Sequence, residues 1–252
     1  MKIAIVTGAS SGMGREMVRQ IGDRFGRIDE IWVVARREDR LQELKSRVPA
    51  PLRIFPLDLT DQDARKKLEQ ELKDKNPEII FLVNASGYGK IGPVGSISPE
   101  EESGMVHLNC EALCYVTHIC LPYMAKNSRI IQFASAASFL PQPGFAIYAA
   151  TKSFVLSYSR ALNCELKSRG ICVTAVCPGP VNTEFFQIAE TTGNIPFYKK
   201  LVMADEKRVT SKALRDSMMG KTVSIYGMGM KAFFLLTKLL PHEWLLRIMV
   251  RL

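Results

Sequence analysis

The sequence predicts a doubly wound α/β fold around a parallel sheet, and three observations carry that prediction. Short, nearly uninterrupted apolar runs rich in β-branched residues recur along the chain, charged segments of helical length separate them, and a glycine-rich turn follows the first run. Strands that are apolar on both faces belong to a parallel sheet covered on each side, because a parallel strand must be followed by a crossover. The runs are "IAIVT" at 3 to 7, "IWVVA" at 31 to 35, "LRIFP" at 52 to 56, "IIFLV" at 79 to 83, "RIIQFA" at 129 to 134 and "ICVTAV" at 171 to 176. A further short run, "VSI" at 223 to 225, is a candidate last strand. No linker-like Gly/Ser or Pro run, repeat or low-complexity tract divides the chain, so a single domain over 1–252 is expected.

Composition narrows the function classes. The 252 residues are 47% hydrophobic, enough for a sizeable core, and 34 Lys and Arg against 25 Asp and Glu give a formal charge of +9. Those basic residues are dispersed along the chain, a pattern that favours acidic small ligands over a dedicated nucleic-acid arm. Six cysteines, Cys110, Cys114, Cys120, Cys164, Cys172 and Cys177, show no CxxC pair and no ligand-spaced histidine, so neither a zinc site nor a redox pair is predicted. Reduced thiols in a cytoplasmic protein are the expectation. "MKIAIVTGAS" lacks the features of a signal peptide, and no uninterrupted apolar run reaches the ~20 residues a membrane span needs.

Directly after the first strand, "TGASSGMG" at 7 to 14 leads into the helical "REMVRQIGDRF". Glycines at a strand-to-helix turn let the backbone approach a pyrophosphate, and the helix start offers free N–H groups and a positive dipole end. Gly8, Ser10, Ser11, Gly12, Met13 and Gly14 are therefore candidate dinucleotide-binding residues. Their GxxxGxG spacing differs from the GxGxxG fingerprint, and the Lys-Ser/Thr of a P-loop is absent, which disfavours a nucleoside triphosphatase. At the end of the second strand, "VVARREDR" places Arg36 and Arg37 where a carboxylate would bond the adenosine ribose. Guanidinium groups suit a 2′-phosphate, so NADP(H) is predicted, with Glu38 and Asp39 keeping NAD(H) as the alternative. Arg15 reads as a solvated helix position.

"YAATK" at 148 to 152 sets a phenol and an amine four residues apart, on one face of a helix. A free phenol has a pKa of about 10 and is a poor acid or base near neutrality. A neighbouring ammonium and an oxidised nicotinamide would stabilise its phenolate. Tyr148 then exchanges a proton with an alcohol or carbonyl oxygen while hydride moves to or from the cofactor, and Lys152 also donates to the nicotinamide ribose. "QFASAASF" puts Ser135 at a strand's carboxyl end, where ligands sit in such sheets, with Ser138 the competing hydroxyl in the same loop. His107 reads as a packing residue, and His118 and His242 lack ligand-spaced partners.

In this order and spacing, "TGASSGMG", "LDLTD" at 57 to 61, "LVNASG" at 82 to 87, Asn109 in "HLNCEA", Ser135, "YAATK" and "PGPVNT" at 178 to 183 resemble the short-chain dehydrogenase/reductase family over nearly the whole chain. The resemblance implies a Rossmann-like fold and a catalytic triad of Ser135, Tyr148 and Lys152. Asn109 would complete a tetrad by holding a water that relays protons to Lys152. It further implies that Asp58 meets the adenine amino group, that Asn84 lies beside the adenosine ribose, and that Ala85 and Gly87 contact the cofactor. Pro178, Gly179, Val181 and Thr183 would enclose the nicotinamide. The family usually shows Asn-Asn-Ala-Gly where this chain has Asn84-Ala85-Ser86-Gly87. A homo-oligomer, dimer or tetramer, is also implied.

Beyond "PGPVNT", the aromatic-rich stretch at about 183–203, with Phe185, Phe186, Phe197, Tyr198, Gly193 and Pro196, is the implied substrate lid, and its aromatics suggest an apolar carbonyl substrate. The apolar segment at about 231–252 carries Lys231, Lys238, Arg247 and Arg251 and is divided by Pro241. It is expected to pack on its own domain, join a second subunit or lie on an anionic membrane surface. The function expected is an NADP(H)-dependent oxidoreductase acting between a carbonyl and a secondary alcohol, with no metal. The alternatives are a nucleotide sensor or scaffold that no longer turns over substrate, and a membrane-attached acyl or lipid ketoreductase.

Overall fold

The computed structural model describes residues 1–189 and 203–251. The expectations resting on Gly193, Pro196, Phe197, Tyr198 and Leu252 lie outside the described residues. In chain order the elements are β1 Lys2–Thr7, α1 Gly12–Arg24, β2 Glu30–Ala35, α2 Glu38–Lys45, β3 Leu52–Pro56, α3 Gln62–Lys75, β4 Glu78–Asn84 and α4 Pro99–Val106. A π-helical turn, His107–Ala112, follows and runs on into α5 Leu113–Cys120. Then come β5 Met124–Phe133, α6 Ala146–Glu165, β6 Cys172–Val176, α7 Phe185–Ala189, α8 Glu206–Met218, β7 Val223–Ser224, α9 Met228–Leu239 and α10 His242–Arg251.

The strands form one seven-stranded parallel sheet in the order β3-β2-β1-β4-β5-β6-β7. Side chains alternate along each strand, so Ala4, Val6, Ile31, Val33, Phe81 and Val83 pack beneath α1, α2 and α8. Ile3, Ile5, Trp32, Val34, Ile79 and Leu82 pack against α3, α5 and α6 on the other face. Both faces are buried, which is why the runs read as continuous apolar sequence. A one-residue slip would exchange the two sets and lose packing worth roughly 1.5–3 kcal/mol per large side chain, so register is strongly specified. β5 starts earlier than its apolar run predicts, at Met124, because backbone pairing tolerates the polar Lys126, Asn127 and Ser128 around the irregularity between its first and later pairs. β7 is held against β6 by Asp216, which accepts from Lys221 at 2.9 Å and Ser224 at 2.7 Å and also binds Lys212.

Two features of this topology position a site. The strand order reverses between β1 and β4, which opens a crevice beyond their carboxyl ends. And α9 lies along one flank of that crevice. Its Phe233 and Phe234 pack on Phe139, with ring centroids 6.2 and 4.7 Å away, and Met230 seats against Gly179. The opposite side of α9 and α10 leaves Met228, Leu235, Leu239, Trp244 and Ile248 exposed. Among the described residues no helix is long and apolar enough to cross a membrane.

Candidate active site

A cavity of about 920 Å³ opens at the carboxyl ends of the strands. Its walls include the glycine turn from Gly8 to Gly14, Arg36, Arg37 and Asp58 at one end. Ala85, Gly87, Ser135, Tyr148, Lys152, Pro178, Gly179, Val181 and Thr183 line the remainder. These residues, dispersed in sequence, share one space because each follows a strand of the same parallel sheet.

The glycine turn is shaped by close approach. Gly8 has a φ of +68°, and a Cβ on Gly14 would lie 2.3 Å from the Gly8 carbonyl oxygen, so a side chain at position 14 would force the turn apart. Ser11 is the N-cap of α1 but makes no side-chain capping bond, and the first turn carries no acidic residue. The helix start therefore presents unsatisfied N–H groups and its positive dipole end to the cavity, a fit for a dinucleotide phosphate. Arg15, part-exposed on α1, faces Glu206 at 4.0 Å.

Where β2 meets α2 the two predicted arginines separate. Arg36 is largely exposed and lies 3.6 Å from Asp58. Asp58 also accepts from the Thr60 N–H and hydroxyl at 2.9 and 2.8 Å. Burial opposes its ionisation, yet these bonds and Arg36 hold its carboxyl below the ordinary value. Arg37 turns inward: Nε and Nη2 donate to the Ser10 hydroxyl at 3.3 and 3.2 Å, and Nη1 donates to Glu184 at 3.0 Å. Arg40 binds the second oxygen of the same carboxylate. Neither Glu184 nor Arg40 emerged from the sequence reading. Both stood within quoted stretches, but no spacing rule joins positions so distant in the chain.

Asn84 is a correction. Its side chain faces the interior and not the cavity, donating to the Thr117 hydroxyl at 3.0 Å, where Gln132 also donates at 3.1 Å. The parallel strand leaves Asn84 buried at the end of β4, so its amide ties β4 to α5. His107 is a second correction: it is exposed at the cavity rim, 3.4 Å from Glu111, because the π-helical turn that begins there rotates it out of the packed face. The same turn carries Asn109 inward. Fully buried, Asn109 donates to the Tyr88 carbonyl at 2.9 Å and the Thr151 hydroxyl at 3.0 Å and accepts from the Tyr88 N–H at 3.1 Å. Gly87 separates it from Lys152. A Cβ there would lie 2.8 Å from Asn109 Oδ1 and 3.2 Å from Lys152 Nζ.

Tyr148 and Lys152 both stand in the first turns of α6, and both are buried. The Tyr148 ring stacks on Phe145 with centroids 4.2 Å apart and meets Phe185 at 5.3 Å. The Ser135 side chain lies close enough to the phenol to favour its ionised form. The two serines differ in placement: the Ser138 hydroxyl turns back to the Ser135 carbonyl, while Ser135 lines the cavity. Lys152 Nζ donates to the Phe133 carbonyl at 2.8 Å and sits 5.7 Å from the Tyr148 ring centroid.

The electrostatics differ from the sequence expectation. Burial pushes the Tyr148 phenol up to about 12, with the Ser135 hydrogen bond opposing. Burial also brings Lys152 down to about 8, against the pull of Cys110 and Cys177. In the protein alone, desolvation outweighs the attraction expected between ammonium and phenolate, because both groups are removed from water and their hydrogen bonds go elsewhere.

With this geometry in hand, comparison with known proteins is informative. Residues 2–193 match the family model described as short chain dehydrogenase. Serine 3-dehydrogenase of Agrobacterium fabrum is 32% identical, over 75% of this chain and 76% of that protein. The very-long-chain 3-oxoacyl-CoA reductase of Mus musculus is 30% identical, over 88% of this chain and 74% of its own. Among solved structures, a short-chain dehydrogenase from Sphingobium yanoikuyae in complex with NADPH superposes with a TM-score of 0.77 at 26% identity, covering 89% of this chain and 87% of that one.

Proposed function

This chain belongs to the short-chain dehydrogenase family, and from that premise we propose that it is an NADP(H)-dependent reductase of apolar ketones, with Tyr148 as the proton donor. The observation that carries the reading is a buried phenol that shares one cavity with Ser135, Lys152 and the glycine turn. Phe145, Phe185 and Ile188 give the same cavity an apolar wall near the phenol, which suits a hydrophobic carbonyl compound. Purified protein with a panel of ketones and aldehydes should oxidise NADPH, read at about 340 nm, with apolar ketones at least tenfold better by kcat/KM than small polar carbonyls. Preference for sugars, or no oxidation with any substrate, would overturn it.

Bound in this cavity, a nicotinamide dinucleotide supplies the hydride. The chain's own residues do the rest. Gly8 to Gly14 and the start of α1 hold the phosphates, Arg37 and Ser10 receive the 2′-phosphate, and Asp58 accepts from the adenine amino group. Ser135 donates to the substrate oxygen, fixing it beside the phenol. Tyr148 would give its proton to that oxygen. Lys152 would offset the charge left on Tyr148, and Asn109 would hold the water that relays protons to it. Burial keeps the phenol protonated but makes it a weaker acid, and the charge on Lys152 would offset that once the cofactor is bound.

The exposed apolar residues of α9 and α10 favour one refinement. Lys231, Lys238 and Arg247 share those helices with a single acidic residue, Glu243, and a second copy of the same face would meet like charge. An anionic membrane surface is the complementary partner, and it would lie beside the cavity flank that α9 covers. Full-length protein should float with vesicles of phosphatidylglycerol and phosphatidylcholine, less so at high salt, and Trp244→Glu with Leu239→Glu should abolish flotation. Absence of flotation removes the membrane reading, and if the same pair of substitutions dissociates a dimer, the second copy takes its place.

A further inference from the structure

We propose that Glu184 is a specificity-determining residue: it is an internal rival that holds Arg37 and Arg40, and a ribose 2′-phosphate must displace it to bind. The inference rests on the NADP(H) reading above. Glu184 directly follows the "PGPVNT" stretch, far in sequence from the glycine turn, yet its carboxylate sits between two guanidinium groups of α2 and its N-cap. Arg37 reaches one oxygen at 3.0 Å while spanning the Ser10 hydroxyl with its other two nitrogens. Arg40 takes the second oxygen. Arg36 also lines the cavity, but it pairs with Asp58 and not with Glu184.

The chemistry sets the competition. A carboxylate is a single negative charge with two acceptor oxygens, and here both are used. A phosphate monoester brings up to two charges and three acceptor oxygens to the same fork, so it is the stronger partner, but it gains only the difference between the two anions. The three side chains are each about one third exposed, at 34 to 37%, so exchange needs no unpacking of the core. The two arginines keep Glu184 ionised against its partial burial, so the rival is charged at neutral pH. A cofactor without the 2′-phosphate leaves the carboxylate where it is. Glu184 therefore weakens NADP(H) and not NAD(H), and it sets how strongly the enzyme discriminates between them.

The test is equilibrium binding to the cofactor-free, full-length protein, by calorimetry or fluorescence, with NADPH, NADH and adenosine 2′,5′-bisphosphate as probes. Glu184→Gln should bind NADPH and the bisphosphate about tenfold tighter and leave NADH within about twofold. Glu184→Ala should shift the ratio in the same direction, since lost charge is the cause. Arg37→Ala should weaken NADPH and spare NADH. If Arg37→Ala leaves the NADPH to NADH ratio unchanged, the NADP(H) reading falls and the rival role with it. If Arg37→Ala lowers that ratio but Glu184→Gln leaves it equal or lower, the rival role alone is overturned, and Glu184 instead supports the arginines.

Discussion

Tyr148→Phe is expected to lose about a thousandfold in kcat and in kcat/KM alike, because it deletes the proton donor while leaving the ground-state contacts of substrate and cofactor. The ring survives the substitution. Its stack on Phe145 at 4.2 Å and its contact with Phe185 at 5.3 Å do not involve the hydroxyl, so the first turn of α6 keeps its packing. What is lost is the hydroxyl's interaction with Ser135, so stability should change by no more than about 1 kcal/mol. NADPH affinity should change by no more than about threefold, because cofactor contacts are proposed for other residues. Stopped-flow reduction of an apolar ketone, paired with fluorescence titration of NADPH, reads both quantities. A variant that keeps turnover within about tenfold of the parent would refute Tyr148 as the acid and favour a protein that senses the nucleotide without reacting.

Lys152→Met should do two opposite things: abolish most turnover and stabilise the cofactor-free protein at neutral pH. The cause is the buried ammonium. Burial lowers Lys152 from its ordinary 10.5 to about 8, a difference equivalent to on the order of 3 kcal/mol carried by the folded state wherever the amine is charged. Between pH 8 and 10.5 the unfolded chain still holds a proton that the folded chain has released, so the parent's stability rises with pH across that window. Tyr148 acts in the opposite sense only above about 10, where the unfolded phenol ionises and the folded one does not. Denaturant unfolding from pH 7 to 9.5 should therefore show stability climbing in the parent and a flat profile in the variant. At pH 7 the variant should be more stable by about 1–2 kcal/mol, after the Phe133 carbonyl loses its donor. A variant that is less stable at pH 7, or that keeps the slope, would show that the lysine is not held at the expense of the fold. Such a group is the signature of a residue kept for chemistry.

Much of this molecule was legible before folding because it rests on local or periodic signals. Continuous apolar runs imply a sheet buried on both sides, and the observed β1 to β4 and β6 follow those runs closely. The glycine turn was readable because a phosphate-sized approach leaves no room for side chains. Tyr148 and Lys152 were readable because four residues is one helical turn. Where the reading failed, burial or distance was the reason. Asn84 turned inward to Thr117, His107 stands exposed where a π-helical turn with no sequence signature begins, and β5 began five residues before its apolar run.

By itself, the sequence determined the parallel sheet, the anion-binding turn after its first strand, and the pairing of a phenol with an amine on one helix face. Only the tertiary structure decided that Ser135 lines the cavity while Ser138 turns back on its own loop, that Glu184 closes the fork of Arg37 and Arg40, and that burial shifts both Tyr148 and Lys152 toward their neutral forms. The physical reason is that periodicity records which face a residue occupies on its own element. The solvent a group loses, and the distant charge it gains, exist only once the elements have packed.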